Sequence, residues 1–471
     1  MPLSRLSHLA FTPALEQARL VRKGEISPLE LVEFYLERIE RFNPQLGCFY
    51  HVAADAALAD AKTKTEQLVK TKDKSQLPPW FGIPIPIKDV NAVAEMPLTY
   101  GVAAFKEQIA NYDEGFVTKI KEAGFIILGK TAVPELASLP YTESPGFAAT
   151  RNPWHLDYTP GGSSGGAASA LAAGLCPIAQ GNDGGGSIRG PAFCCGLVGI
   201  KPARGRVSFA PIGDHQNGIA VHGCLARTVA DGAALLDVMA GYIPGDPYWL
   251  PSPEISFLAA TQKSLRHLKI AFITSFNPIG EATPICQQGV LKTVKLLEEM
   301  GHFVEAESME LGDLIEPFKL VWAAGIAATG IQPETLSPMN RWIAQQSGSA
   351  GEYLQAVTQI QIFARRIVSN FAGYDVVVLP TYLHPAIRLG EWADLSPEAT
   401  LEKIVNWIAP CPPFNASGQP AINLPTGWDD NGLPVGVQLV GKPAAETTII
   451  SLAAQLEAAK LWSDRFPVAF A

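Results

Sequence analysis

The chain is expected to fold as an α/β sandwich with helices on both sides of a sheet, in one large well-buried globule, and three observations lead there. Strand-like and helix-like segments alternate along the sequence; several strands are apolar throughout, as in a sheet covered on both faces; and no low-complexity linker interrupts the chain. At 471 residues, length alone would allow two or three domains, but the 47% hydrophobic content is spread evenly.

The first strong element is a helix after Ile26-Ser27-Pro28-Leu29-Glu30-Leu31, with Ser27 as N-cap, Pro28 in the first turn, Glu30 completing a capping box and Ile26 packing on Leu31. Val32, Tyr35, Leu36 and Ile39 continue it at helical spacing, and Asn43-Pro44 is expected to end it. Ile83 to Ile87 reads as a strand whose prolines, Pro84 and Pro86, restrict it to an edge or a strand end, so Lys88 leaves a rigid terminus. A helix over Gly115 to Ala123 and a buried strand over Phe125 to Leu128 follow. The small residues Ala167 to Ala173 predict a closely packed helix ended by Gly174. Strands recur at Lys269 to Thr274 and Tyr374 to Leu379, while 250–370 is otherwise helical in pattern and poor in motifs, as befits a variable part that shapes substrate entry. Near the end, Phe414 to Ala421 reads as a polar turn, and Gly432 to Gly441 as a turn feeding an apolar strand. There is no internal repeat.

Composition narrows the function. A formal charge of −9 with no Lys/Arg block argues against nucleic-acid binding, which needs a basic face. The seven cysteines lack C-x-x-C spacing and sit in apolar surroundings, so buried reduced thiols are expected and neither a metal site nor a cofactor is. The N-terminal residues lack a secretory pattern and no apolar run reaches about 18 residues, which predicts a cytoplasmic protein without membrane contact. A homo-oligomer is compatible with the sequence.

Two glycine-rich serine segments carry the chemistry: Pro160-Gly161-Gly162-Ser163-Ser164-Gly165-Gly166 and Gly181-Asn182-Asp183-Gly184-Gly185-Gly186-Ser187-Ile188-Arg189. Consecutive glycines let the N–H groups of Gly184, Gly185, Gly186 and Ser187 point into one concavity, a nest suited to an oxyanion beside a nucleophilic Ser187. A serine hydroxyl needs a base, and none of the eight histidines lies in a motif that gives it a catalytic reason. Lysine serves if burial disfavours its charged form, which makes Lys88 the candidate, with Ser163 relaying a proton between it and Ser187 and Ser164 in support. Gly162 to Gly166 also fits the G-x-S-x-G elbow with Ser164 as nucleophile, but the apolar strand that should precede an elbow is missing. No Gly-Lys-Ser/Thr ends either run, so a phosphate-binding loop fits worse.

With Lys88 at the end of Phe81-Gly82-Ile83-Pro84-Ile85-Pro86-Ile87-Lys88-Asp89, the ordered set resembles the amidase signature family. The resemblance continues through Gly129-Lys130-Thr131, Asn152-Pro153-Trp154, Gly199-Ile200-Lys201-Pro202 and Gly205-Arg206-Val207 to the C-terminal turn and strand. It implies a single α/β/α sandwich domain spanning 1–471 around a large central mixed β-sheet, with a core at approximately 60–240 and 370–460 and a helical segment at approximately 250–370. It also implies hydrolysis of a small carboxylic amide through a seryl acyl-enzyme, with Ser187 as nucleophile, Ser163 as relay, Lys88 as base, and Asp183 and Arg189 as a supporting charged pair. In style the motifs are closest to general bacterial amidases and 6-aminohexanoate cyclic-dimer hydrolases. Asn182 and Gly184 stand where many members have threonine and a larger residue, and Ala203 where threonine is common. The glutaminase subunit of a tRNA-dependent amidotransferase and a non-catalytic binding protein on the same fold are the alternatives. The loop Glu135 to Gly146 and the 250–370 segment are expected to supply pocket residues, Trp322 and Tyr353 standing between a lining and a core role.

Overall fold

The computed structural model describes residues 7–459, 462 and 465–470. Its strands are β1 (Phe49–Val52), β2 (Pro84–Lys88), β3 (Ile126–Thr131), β4 (Ala179–Asp183), β5 (Val198–Lys201), β6 (Val221–Ala226), β7 (Lys269–Phe272), β8 (Ser275–Asn277), β9 (Gly280–Glu281), β10 (Phe303–Ala306), β11 (Met309–Glu310), β12 (Val376–Pro380), β13 (Ala421–Trp428) and β14 (Pro434–Gly441). Eight of them form one mixed sheet in the order β10-β7-β12-β14-β13-β5-β6-β4. The pairs β10–β7 and β7–β12 are parallel, and the remaining neighbours are antiparallel.

The period-two alternation of a strand explains why helices cover both faces. Val376 and Val378 point into one apolar cluster with Val290 and Val294 of helix Pro284–Glu299 and Ile449 and Leu456 of helix Glu446–Ala458. Val377 and Leu379 point into another with Leu314 of helix Gly312–Ala327 and Ile360 and Phe363 of helix Ala350–Asn370. These are the three layers that strand–helix alternation predicts. The stretch 250–370 is mainly helical as expected, yet it also contributes β7 and β10 to the main sheet, while β8, β9 and β11 form a small sheet of their own.

Strand β2 is an edge of a second three-stranded sheet, β1-β3-β2, where its prolines leave no ladder donor missing toward a neighbour on its outer side. Its last residue reaches the main sheet, because the Lys88 N–H donates to Oε1 of Gln180 in β4 at 3.1 Å.

Two local expectations need correction. The helix Pro28–Leu46, capped by the Ser27–Glu30 box, runs through Pro44 and ends at Gly47, whose φ is 60°. The carbonyl left without an intrahelical donor by Pro44 is that of Glu40, an exposed residue, so the missing bond buries no unpaired polar group and the helix continues. The turn expected from Phe414 begins inside a short helix, Pro412–Ala416, where the two prolines fit the first turn.

Candidate active site

Lys88 ends β2 fully buried, and its Nζ lies 2.7 Å from Ser163 Oγ and 3.4 Å from the Asn182 carbonyl, with Asn182 Oδ1 as a further close partner. Burial pushes the ammonium well below its ordinary pKa, and the charge of Asp183 opposes this only in part. A lysine so placed sits against a serine hydroxyl in surroundings that disfavour its charged form.

Ser163 follows a cis Gly162–Ser163 peptide. A Cβ on Gly162 would fall 2.6 Å from both Leu139 O and Tyr141 N, so the chain passes here only as glycine. Ser164 joins the two serine segments: its N–H donates to Ser187 O at 3.1 Å and its Oγ to Asn182 O at 3.2 Å. It is fully buried and borders neither cavity described below, and the residues before it form no strand, features that do not fit the elbow reading.

The glycine turn between β4 and helix Arg189–Cys195 is organised by one buried ion pair. Asp183 accepts from Arg189 Nε at 3.0 Å and Nη2 at 2.9 Å, and from the backbone N–H of Gly186 at 2.8 Å and Ile188 at 3.1 Å. Arg189 in turn donates to Cys411 O at 3.1 Å, Gln438 Oε1 at 2.9 Å and Asn415 Oδ1 at 2.6 Å. Burial alone would raise the Asp183 carboxyl, but the Arg189 charge and its hydrogen bonds hold it below the usual carboxylate range. Lys201, also buried, is brought down to about 7 by desolvation and by Arg189.

Gly186 has φ 122°, and a Cβ there would lie 2.9 Å from Cys411 Cβ, so the turn needs glycine. Its N–H is engaged by Asp183, which takes it out of the expected oxyanion set. The N–H groups of Gly184, Gly185 and Ser187, and Ser187 Oγ, make no hydrogen bond among the described residues.

Ser187 opens onto two cavities. One touches Gly162, Gly185 and Ser187 and is walled mainly by apolar side chains, with Ser138 and Lys319 also at its border. The other touches Ser163, Asn182, Gly184 and Ser187. Leu136 to Pro140, within the loop expected to shape the pocket, border one or the other, and Trp322 borders both. Tyr353 packs against the second apolar cluster and lines neither.

Lys88, Ser163, Ser164, Asp183, Gly184 to Ser187 and Arg189 thus meet in one place, while Tyr353 does not join them. Asn182, Asn415 and Gln438 were not picked as site residues, although the sequence showed Asn182 as a departure and Asn415 in a segment rich in hydrogen-bonding side chains. All seven cysteines are buried and free. Among the described residues, no three His, Cys, Asp or Glu side chains gather as metal ligands, and no helix is long and apolar enough to cross a membrane.

Residues 30–450 match the family model described as Amidase. A Synechocystis sp. protein named provisionally as an amidase is 51% identical over 453 residues, covering 96% of this chain and 89% of the relative. The solved structure of a 6-aminohexanoate cyclic dimer hydrolase complexed with substrate superposes with a TM-score of 0.90 at 30% identity, covering 98% of this chain and 100% of the other. A bacterial aryl acylamidase, described as an amidase signature enzyme, superposes at 0.87 with 26% identity, covering 96% and 97%.

Proposed function

Because this chain belongs to the amidase signature family and is an amide hydrolase, we propose that it cleaves the C–N bond of small carboxylic amides through an acyl-enzyme on Ser187. The observation that carries this reading is the contact of 2.7 Å between Lys88 Nζ and Ser163 Oγ, both buried. Neutral Lys88 accepts the Ser163 hydroxyl proton, and Ser163 accepts that of Ser187 as Ser187 Oγ bonds to the carbonyl carbon. Both serines border the same cavity, where the second transfer takes place once Ser187 Oγ turns toward Ser163.

The negative charge that develops on the carbonyl oxygen is taken up by the N–H groups of Gly184, Gly185 and Ser187; removing one such donor typically costs about 2.7–4 kcal/mol of transition-state energy. The proton on Lys88 returns through Ser163 to the nitrogen as the C–N bond breaks, and the amine leaves. Water then attacks the ester with the same relay as base, which releases the carboxylate and restores Ser187. Asp183 and Arg189 touch no reacting atom in this scheme. They hold the turn in shape.

The test is amide hydrolysis by purified wild type against Lys88→Ala and Ser187→Ala, with retention of fold checked by thermal melting. Activity that survives in either folded variant would sink the reading.

A further inference from the structure

Ser187 stands where two cavities of different chemistry meet. The first, of about 110 Å³, is walled by Leu311, Leu314, Phe318, Ile343, Ile404 and Ile408. The second, of about 160 Å³, presents Ser163, Asn182, Tyr100, Gln216 and Thr329. Trp322 divides them: its Nε1 donates to Ser138 O at 3.2 Å, and its ring stacks on Phe318 with centroids 6.1 Å apart. A Cβ on Gly184 would lie 3.0 Å from that ring, so glycine at this position makes room for the partition.

The direction of proton flow assigns the two sides. Cleavage requires a proton on the departing nitrogen, and the relay that delivers it is Ser163, which borders the second cavity and not the first. The amine therefore departs into the second cavity, and the acyl chain extends into the first. Gln216 borders the second cavity, its side-chain amide beside Gly184 and Gly325 and without a hydrogen-bond partner among the described residues, free to bond a substituent there.

Resting on the acyl-enzyme reading above, we propose that the enzyme selects amides that join an apolar acyl group, a short aliphatic chain or an aryl ring, to an amine bearing a hydrogen-bonding substituent. Apart from Ser138, Ser187 and Lys319 at its border, the first cavity is apolar, so the hydroxyl or charge of a polar acyl group would lose water with few partners to gain.

Two isomers test this directly, since N-(2-hydroxyethyl)hexanamide and N-hexyl-2-hydroxyacetamide contain the same atoms with the amide reversed. The first is expected to have the higher kcat/KM by roughly tenfold or more. Lys319, at the border of the first cavity, is paired with Glu316 at 2.8 Å; Val405→Lys, which adds an unpaired cation to the wall, is expected to lower kcat/KM for the first isomer more steeply than for acetamide. Gln216→Leu is expected to erase the preference for N-(2-hydroxyethyl)hexanamide over N-propylhexanamide. Equal rates for the two isomers, or preference for the reversed one, would overturn the assignment and leave the hydrolase reading intact. No hydrolysis of either isomer or of acetamide, together with no fluorophosphonate adduct on Ser187, would remove the acyl-enzyme reading and this assignment with it.

Discussion

The Nζ of Lys88 is held 2.7 Å from Ser163 Oγ at a point where neither side chain meets solvent. That relationship underlies the proposed role of Lys88 as base, and it sets the first expectation. Lys88→Ala should fold and lose about three orders of magnitude or more in kcat. Lys88→Arg should not restore it, because a guanidinium keeps its proton throughout the working range. In the wild type kcat/KM should fall on the acid side as Lys88 protonates. An active Lys88→Arg enzyme would show that the position needs only a fixed charge.

The same burial links Lys88 to stability. Its pKa is depressed in the folded chain, whereas the unfolded chain has the ordinary lysine value of about 10.4. Between those two values the unfolded state binds one proton more, so this residue makes stability rise with pH across that window. Lys88→Met lacks the effect. Its unfolding free energy relative to wild type should therefore decline as pH rises from the depressed folded value toward about pH 10, as read from urea melts at each pH. A difference that stays flat over the range would mean that Lys88 is charged in the folded protein.

Asn182 provides a finer test of the environment of the amine. Its Oδ1 and carbonyl both face Lys88 Nζ. Asn182→Asp places a carboxylate there, which favours the ammonium form and should move the acid limb of the pH–rate profile to higher pH. Activity near neutrality should drop and recover at alkaline pH. An unmoved limb would separate that limb from Lys88.

Arg189 bridges Asp183, Asn415, Gln438 and the Cys411 carbonyl. Arg189→Met would strand the buried Asp183 charge, a change that typically costs about 3–5 kcal/mol. Arg189→Lys should recover little, since one ammonium cannot span the four acceptors that the guanidinium fork reaches. The urea midpoint should fall in both, and kcat should fall with it because Asp183 also fixes Gly186 and Ile188. An unchanged midpoint in Arg189→Met would show that the pair does not organise the turn.

Much of this site was legible in the sequence because its chemistry is local: glycines beside a serine, and a lysine at the end of an apolar strand, each announce a backbone requirement within a few residues. What escaped was supplied from afar. Asn415 and Gln438 lie more than two hundred residues from Arg189 along the chain, and no pattern around them names their partner. The engagement of the Gly186 N–H by Asp183 was hidden for a different reason, since a run of glycines shows freedom of conformation and not which N–H groups remain open. In the fold, β2, β3, β7, β12 and β14 were found by their apolar runs, whereas β4, β5, β6 and β13 of the main sheet were not, nor was the register. Strand β3 continues past Leu128 through Gly129-Lys130-Thr131, because Lys130 is buried and its Nζ pairs with Asp89 Oδ1 at 3.0 Å. A lysine in a strand does not advertise such a partner.

The account turns on which serine becomes covalent, so peptide mass spectrometry after reaction with a fluorophosphonate tests it most directly. The adduct should map to Ser187, vanish in Ser187→Ala, form much more slowly in Ser163→Ala because the route to Lys88 is cut, and persist at a reduced rate in Ser164→Ala. An adduct on Ser163 or Ser164 in the wild-type protein, or labelling of Ser187 that Ser163→Ala and Lys88→Ala leave unchanged, would contradict it.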